Sequence, residues 1–107
     1  MTDFGLSEKT IDILKQYFAK LPQIKMVKIY GSRAMGNYRK GSDIDFAIFG
    51  DTDKNLIKKI TYEIDELETP YMFDITNYKT IQNSDLKEHI DRVGKVFYAK
   101  RDYCGLK

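Results

Sequence analysis

The stretch GSRAMGNYRKGSDID, residues 31–45, decides how this chain folds and what chemistry it can carry. A Gly-Ser pair stands directly after the apolar run KMVKIY, residues 25–30, and two acids one residue apart, Asp43 and Asp45, open a second apolar run that reaches Phe49. Ten residues, Arg33 to Ser42, lie between the two features, so the pattern reads G-S-x(10)-D-x-D. A short β-branched run closed by glycine predicts a strand, and the alternation in DIDFAIF predicts another. In the second strand Ile44, Phe46 and Ile48 share one face, while Asp43, Asp45 and Ala47 share the other. Glycine lets backbone approach an anion closely, serine adds a hydroxyl donor, and N–H groups opening a helical turn favour negative charge. The order suggests a phosphate site first and a metal site second.

Outward from this stretch the pattern continues as alternating helices and strands. On the N-terminal side Ser7 is a good helix cap, and Ile11, Leu14, Phe18 and Leu21 then paint one face of a helix that Pro22 ends. Residues 33–36 predict a short helical turn and residues 37–41 a loop. On the C-terminal side Gly50 to Thr52 turn the chain into a helix expected from about Asp53 to Glu68, with Leu56, Ile57, Ile60, Ile64 and Leu67 buried and Pro70 beyond its end. A third strand follows over Tyr71 to Thr76, with Met72, Asp74 and Thr76 on one face. Asn83 or Ser84 caps a last helix carrying Leu86, Ile90 and Val93, for which Gly94 is the expected C′ residue. Lys95 to Ala99 reads as the fourth strand. The order is α-β-α-β-α-β-α-β, an α/β fold in which one small sheet is flanked by helices, with residues 1–107 forming a single domain.

The three strand-borne acids belong together on physical grounds. Residues two apart on a strand sit on one face about 6.6–6.8 Å apart, and a neighbouring strand adds a position about 4.8 Å away. Asp43 and Asp45 meet the first condition, and Asp74 meets the second if its strand lies beside theirs. Two unit charges 4 Å apart repel by about 4 kcal/mol at an effective dielectric of 20. Oxygen-ligated divalent cations, Mg²⁺ above all, relieve that repulsion and also carry substrate phosphates.

Gly31-Ser32, Asp43-x-Asp45 and the strand-borne Asp74 resemble the signature of the DNA polymerase β-like nucleotidyltransferase superfamily. GSRAMG and SDIDFAI in so short a chain are most similar to its smallest branch, the minimal nucleotidyltransferase (MNT) domain. The resemblance covers about Ser7 to Ala99. It implies a mixed sheet, two Mg²⁺ ions on Asp43, Asp45 and Asp74 as the catalytic and metal-binding residues, and nucleoside triphosphate contacts at Gly31 and Ser32. Arg33, beside them, is a candidate for the same triphosphate. The implied reaction is transfer of a nucleoside monophosphate, AMP from ATP, to a hydroxyl acceptor. For MNT domains the acceptor is a tyrosine of a helical HEPN ribonuclease, to which the MNT protein is antitoxin. Two departures stand out. Met35 occupies a position where relatives often carry a second basic residue, and the closing domain of larger relatives is missing, so a partner protein or a second copy must complete the site. The alternative is an inactive antitoxin that neutralises the ribonuclease by binding alone.

Composition narrows the rest. Of the 107 residues 42% are hydrophobic and 32% charged, which suits a folded chain and not a disordered one. The net charge of +2 gives no bulk signal for direct nucleic-acid binding. Cys104 is the one cysteine, so neither an internal disulfide nor a multi-cysteine zinc site can form. With no signal-peptide pattern and no apolar run long enough for a membrane, the expected location is the cytoplasm. Arg39 and Lys40 read as solvated loop cations, Tyr30 and Tyr38 as packing or interface residues, and His89 receives no role.

Overall fold

The computed structural model describes residues 4–39 and 42–100. The Ser7 hydroxyl accepts from the Thr10 amide at 3.1 Å and starts α1, Glu8–Ala19. Its buried stripe of Leu14 and Phe18 lies on the sheet. β1 is Ile24–Tyr30, α2 is the single turn Ser32–Met35, and β2 is Ile44–Gly50. Asp53 caps α3, Lys54–Ile64, by accepting from the Leu56 amide at 2.8 Å. β3 is Phe73–Asn77, followed by a 3₁₀ turn at Tyr78–Thr80 that the sequence did not announce. Asn83, not Ser84, caps α4, Ser84–Val93, by accepting from the amides of Asp85 and Leu86. β4 is Lys95–Ala99.

The strand order is β3-β2-β1-β4. β1 pairs antiparallel with β2 and with β4, whereas β2 and β3 run parallel. Parallel neighbours need a crossover, and α3 supplies it. The sheet is therefore mixed, as the resemblance implied.

Both faces are covered. Ile44, Phe46 and Ile48 join Phe18, Ile29, Ile60 and Phe97 in the larger core cluster with α1 and α3. Phe46 sits at its centre, edge-on to Phe18 at 5.3 Å and 5.0 Å from Phe97 between ring centroids. On the opposite face, Tyr30 and Ala47 are buried against Ile90 of α4. Ala47 shares the acids' side of β2, so that side is dry at one end and polar at the other.

Two boundaries differ from expectation for physical reasons. α3 stops at Ile64, and Glu66 and Leu67 continue it only as tight turns onto Glu63 and Ile64. Asp65, Glu66 and Glu68 would crowd negative charge onto the negative end of the helix dipole. Gly94 is not a left-handed C′ residue: its φ is −61° and its backbone is extended. A side chain there would meet the Ile90 carbonyl at 2.5 Å, so glycine serves close approach and not conformation.

A buried polar pair ties the far end of the sheet. The Thr52 hydroxyl, in a residue only 1% exposed, donates to Asn77 Oδ1 at 2.7 Å. Thr52→Val keeps the shape and leaves that buried acceptor without its donor, so a loss of about 1–3 kcal/mol is expected. Urea unfolding measures it.

Candidate active site

Gly31 joins β1 to α2 with φ 77° and ψ −154°, a region that only glycine occupies readily. A Cβ at this position would overlap Asp45 Oδ2, so the backbone lies directly against the carboxylate. α2 then turns at once: Met35 N donates to the Gly31 carbonyl at 3.1 Å, and Gly36, left-handed at φ 87°, donates to the Ser32 carbonyl at 2.9 Å. The opening N–H groups of such a turn have no partner within it. The phosphate half of the motif and the carboxylate half are thus in contact.

The acids assemble by strand register. Asp45 stands opposite Tyr30 on one side and opposite Asp74 on the other. Asp43 lies just ahead of β2 and is exposed, as is Asp74, whereas Asp45 is half-buried. Burial pushes the Asp45 carboxyl up to about 6; Asp74 and then Asp43 push it the same way, and His89 opposes them. All three acids therefore share one electrostatic neighbourhood. Among the described residues, no three His, Cys, Asp or Glu side chains already form a metal cage. A one-sided carboxylate set fits Mg²⁺ nonetheless, because this ion keeps waters and substrate phosphates as ligands and needs only one or two carboxylates from protein.

The raised Asp45 value has a consequence for the metal-free protein. A carboxyl whose folded pKa exceeds its unfolded value favours the folded state while protonated, and that contribution is lost as pH rises through the folded pKa. Stability in chelator is expected to fall from pH 4 to pH 7 by about 1–2 kcal/mol on account of Asp45, after discounting for its partial exposure. Urea unfolding of wild type and Asp45→Asn across that range isolates the effect, since only wild type should show it.

Arg33 sits where a solvated loop cation would not. It is 3% exposed, its Nε and Nη2 donate to the Ser42 carbonyl at 3.2 and 2.9 Å, and its Nη1 donates to the Phe4 carbonyl at 2.8 Å. The rings of Tyr38 and Tyr71 flank the guanidinium with centroids 5.0 and 5.1 Å away. A cleft of about 370 Å³ lies along this side of α2, between Phe4, Ala34, Met35, Tyr38 and Lys95, and none of the three acids lines it. Arg39 is exposed and its amide donates to the Ser42 hydroxyl at 2.8 Å; Lys40 and Cys104 lie outside the described residues.

Two neighbours of the acids escaped the sequence reading. Tyr30, read as a packing residue, also lines the site: its hydroxyl shares a 3.0 Å hydrogen bond with Thr76. His89 of α4 stands edge-on over the Tyr30 ring at 6.0 Å. The signal for Tyr30 was its place directly before Gly31, since a strand ending there meets the start of its antiparallel neighbour. For His89 the only signal was its adjacency to the buried Ile90.

Comparison with known proteins agrees with the fold. The family model described as polymerase beta, nucleotidyltransferase, matches residues 12–103. Over 35 residues the chain is 49% identical to the protein adenylyltransferase MntA of Aphanizomenon flos-aquae (strain 2012/KM1/D3). That alignment covers 33% of this chain and 23% of MntA. Among solved structures, a toxin-antitoxin complex with AMP-PNP matches at TM-score 0.60 and 20% identity, over 91% of this chain and 77% of the other. A complex of a tri-AMPylated Shewanella oneidensis HEPN toxin with its MNT antitoxin matches at TM-score 0.55 and 17% identity, over 99% and 79%. At these identities the shared property is the fold.

Proposed function

The chain belongs to the polymerase beta nucleotidyltransferase family, and from that premise we propose that it transfers AMP from ATP to a hydroxyl of a partner protein. The acceptor we infer is a tyrosine of a helical HEPN toxin, which makes the chain an antitoxin. One observation carries the reading: the in-register pairing of Asp45 with Asp74, with the Gly31 backbone packed against the same carboxylate. The likeness over part of the chain to a protein adenylyltransferase, and in fold to an AMPylated HEPN complex, supports the choice of acceptor.

In this reading the acceptor oxygen attacks the α-phosphorus of ATP. The new O–P bond forms as the bond from the α-phosphorus to the bridging oxygen breaks, and pyrophosphate leaves with that electron pair. The acceptor proton passes to a carboxylate oxygen of Asp74. Gly31 and the Ser32 hydroxyl bind the phosphates, which the open backbone of α2 allows. Asp43, Asp45 and Asp74 would hold two Mg²⁺ ions, which when bound neutralise phosphate charge and make the acceptor hydroxyl more acidic. A reaction drawing on ATP suits the cytoplasm; among the described residues no helix is long and apolar enough to cross a membrane.

The test is incubation with Mg²⁺, a candidate HEPN partner and ATP labelled at the α-phosphate. Label on a partner tyrosine is expected, with none when the γ-phosphate carries it. Label appearing on this chain alone would instead make the chain its own acceptor. No transfer from any of the four ribonucleotides, with the complex formed, overturns the proposal.

A second reading, neutralisation by binding alone, is favoured by Met72, which is 68% exposed two residues ahead of Asp74. Apolar groups beside an acidic site suit a docking face. Suppression of toxicity by Asp45→Asn at wild-type strength would select it.

A further inference from the structure

We propose that Arg33 is a positioning residue that sets the phosphate turn against both carboxylate strands, and that it does not touch the triphosphate. The inference rests on the nucleotidyltransferase reading of the site. Its ground is that one guanidinium meets every segment from which the site is built. Arg33 itself follows Ser32 in the phosphate turn. Its two bonds to the Ser42 carbonyl hold the residue directly before Asp43. Tyr71, against its face, leads into β3, where the neighbouring Met72 carbonyl accepts from Ile44 N at 2.9 Å. Ser42 is braced in turn by Arg39, donating its amide to the Arg39 carbonyl at 2.9 Å. The three named nitrogens point at backbone carbonyls, not toward Asp45.

Energetics agree with positioning. Taking a charge out of water is costly, and an apolar side chain of similar volume is often as good or better for stability. Among the described residues the only ion pair is Arg92 with Glu88, so the buried Arg33 charge is offset there by carbonyls and aromatic faces and not by a carboxylate. What arginine adds over methionine at this place is a planar fork that fixes two directions at once. Transfer needs the phosphates and the carboxylates in fixed relation, and a misplacement of about 1 Å can lower a rate by about 10²-fold.

The experiment is a two-dimensional amide NMR titration of the full chain with ATP, in EDTA and in Mg²⁺, comparing wild type with Arg33→Met. In wild type Mg²⁺ should tighten ATP binding, because metal and phosphate sites act as one unit; such coupling is a free energy shared between sites. For Arg33→Met the metal-free Kd is expected within about twofold of wild type, while the tightening by Mg²⁺ shrinks by about tenfold. With an acceptor in hand, kcat should fall about 10–100-fold at nearly constant KM. A metal-free Kd raised about tenfold with the Mg²⁺ tightening intact is the mark of a direct phosphate ligand and overturns the inference. If Arg33→Met does not fold, Tyr71→Leu keeps the cation and removes one aromatic plate; the tightening should shrink about threefold, and no change would overturn the inference as well. Wild type that binds no ATP in either buffer defeats the reading of the site itself, an outcome distinct from the others.

Discussion

Asp45→Asn should lower the proposed AMP transfer by about 10³-fold while leaving a folded protein that is more stable than wild type in chelator near neutral pH. The rate loss corresponds to about 4 kcal/mol of transition-state stabilisation. It follows from position: Asp45 is the acid with carboxylate neighbours on two sides, Asp74 across the parallel pair and Asp43 just ahead of β2. Amide for carboxylate keeps the shape and removes the charge that would hold metal against phosphate. The stability gain has the same origin, since a half-buried carboxylate facing two others opposes folding when ionised. Single-turnover transfer and a thermal melt, run on the same preparation, measure both effects. Loss of transfer accompanied by loss of fold would remove the argument, because the amide is the easier group to bury.

Gly31→Ala is expected to be the most damaging change outside the carboxylates, with transfer lowered by about 10²-fold and stability by about 1–3 kcal/mol. Two independent causes act together. The backbone angles of Gly31 belong to a region where any side chain is strained, and the added methyl would overlap Asp45 Oδ2. Relief of the overlap must move either the phosphate turn or the carboxylate, and both halves of the site lose their register. Gly36→Ala is the control. Its φ is also positive, but nothing lies within 4 Å of a Cβ there, so it should lower stability with a much smaller effect on transfer.

Much of this was legible in the sequence because it was local. KMVKIY and DIDFAIF carry their own period of two, Ser7 and Asn83 each cap the helix that begins beside them, and the helical stripes name their buried residues. Asp74 was a conditional member of the site. Its place depends on a parallel partner delivered by the α3 crossover, and no local pattern states which strands become neighbours. The burial of Arg33 was not legible for a similar reason. A cation beside a Gly-Ser pair resembles a phosphate ligand, while the groups that bury it, Phe4, Tyr38, Ser42 and Tyr71, come from three separate stretches of the chain. His89 and the 3₁₀ turn at Tyr78 depend likewise on how α4 closes over the sheet. There Phe49 and Tyr78 stack at 4.2 Å between centroids, a contact between side chains that sequence spacing does not reveal.

The Thr52–Asn77 pair bears on the acids from three residues away along the sheet. Asn77 stands opposite Ile48, and Asp74 stands opposite Asp45, in the same uninterrupted parallel ladder. A slip of one residue would swap the faces of β3, turning Asp74 toward the packed core and Phe73 or Ile75 toward the phosphate turn. Apolar contacts already oppose such a slip, since it would take Phe73 and Ile75 out of the core. A hydroxyl that finds its amide partner in only one alignment discriminates well. Thr52 and Asn77 thus act as an index mark for strand pairing, so that fidelity of the catalytic face can be lost by mutation at a position that touches neither nucleotide nor metal.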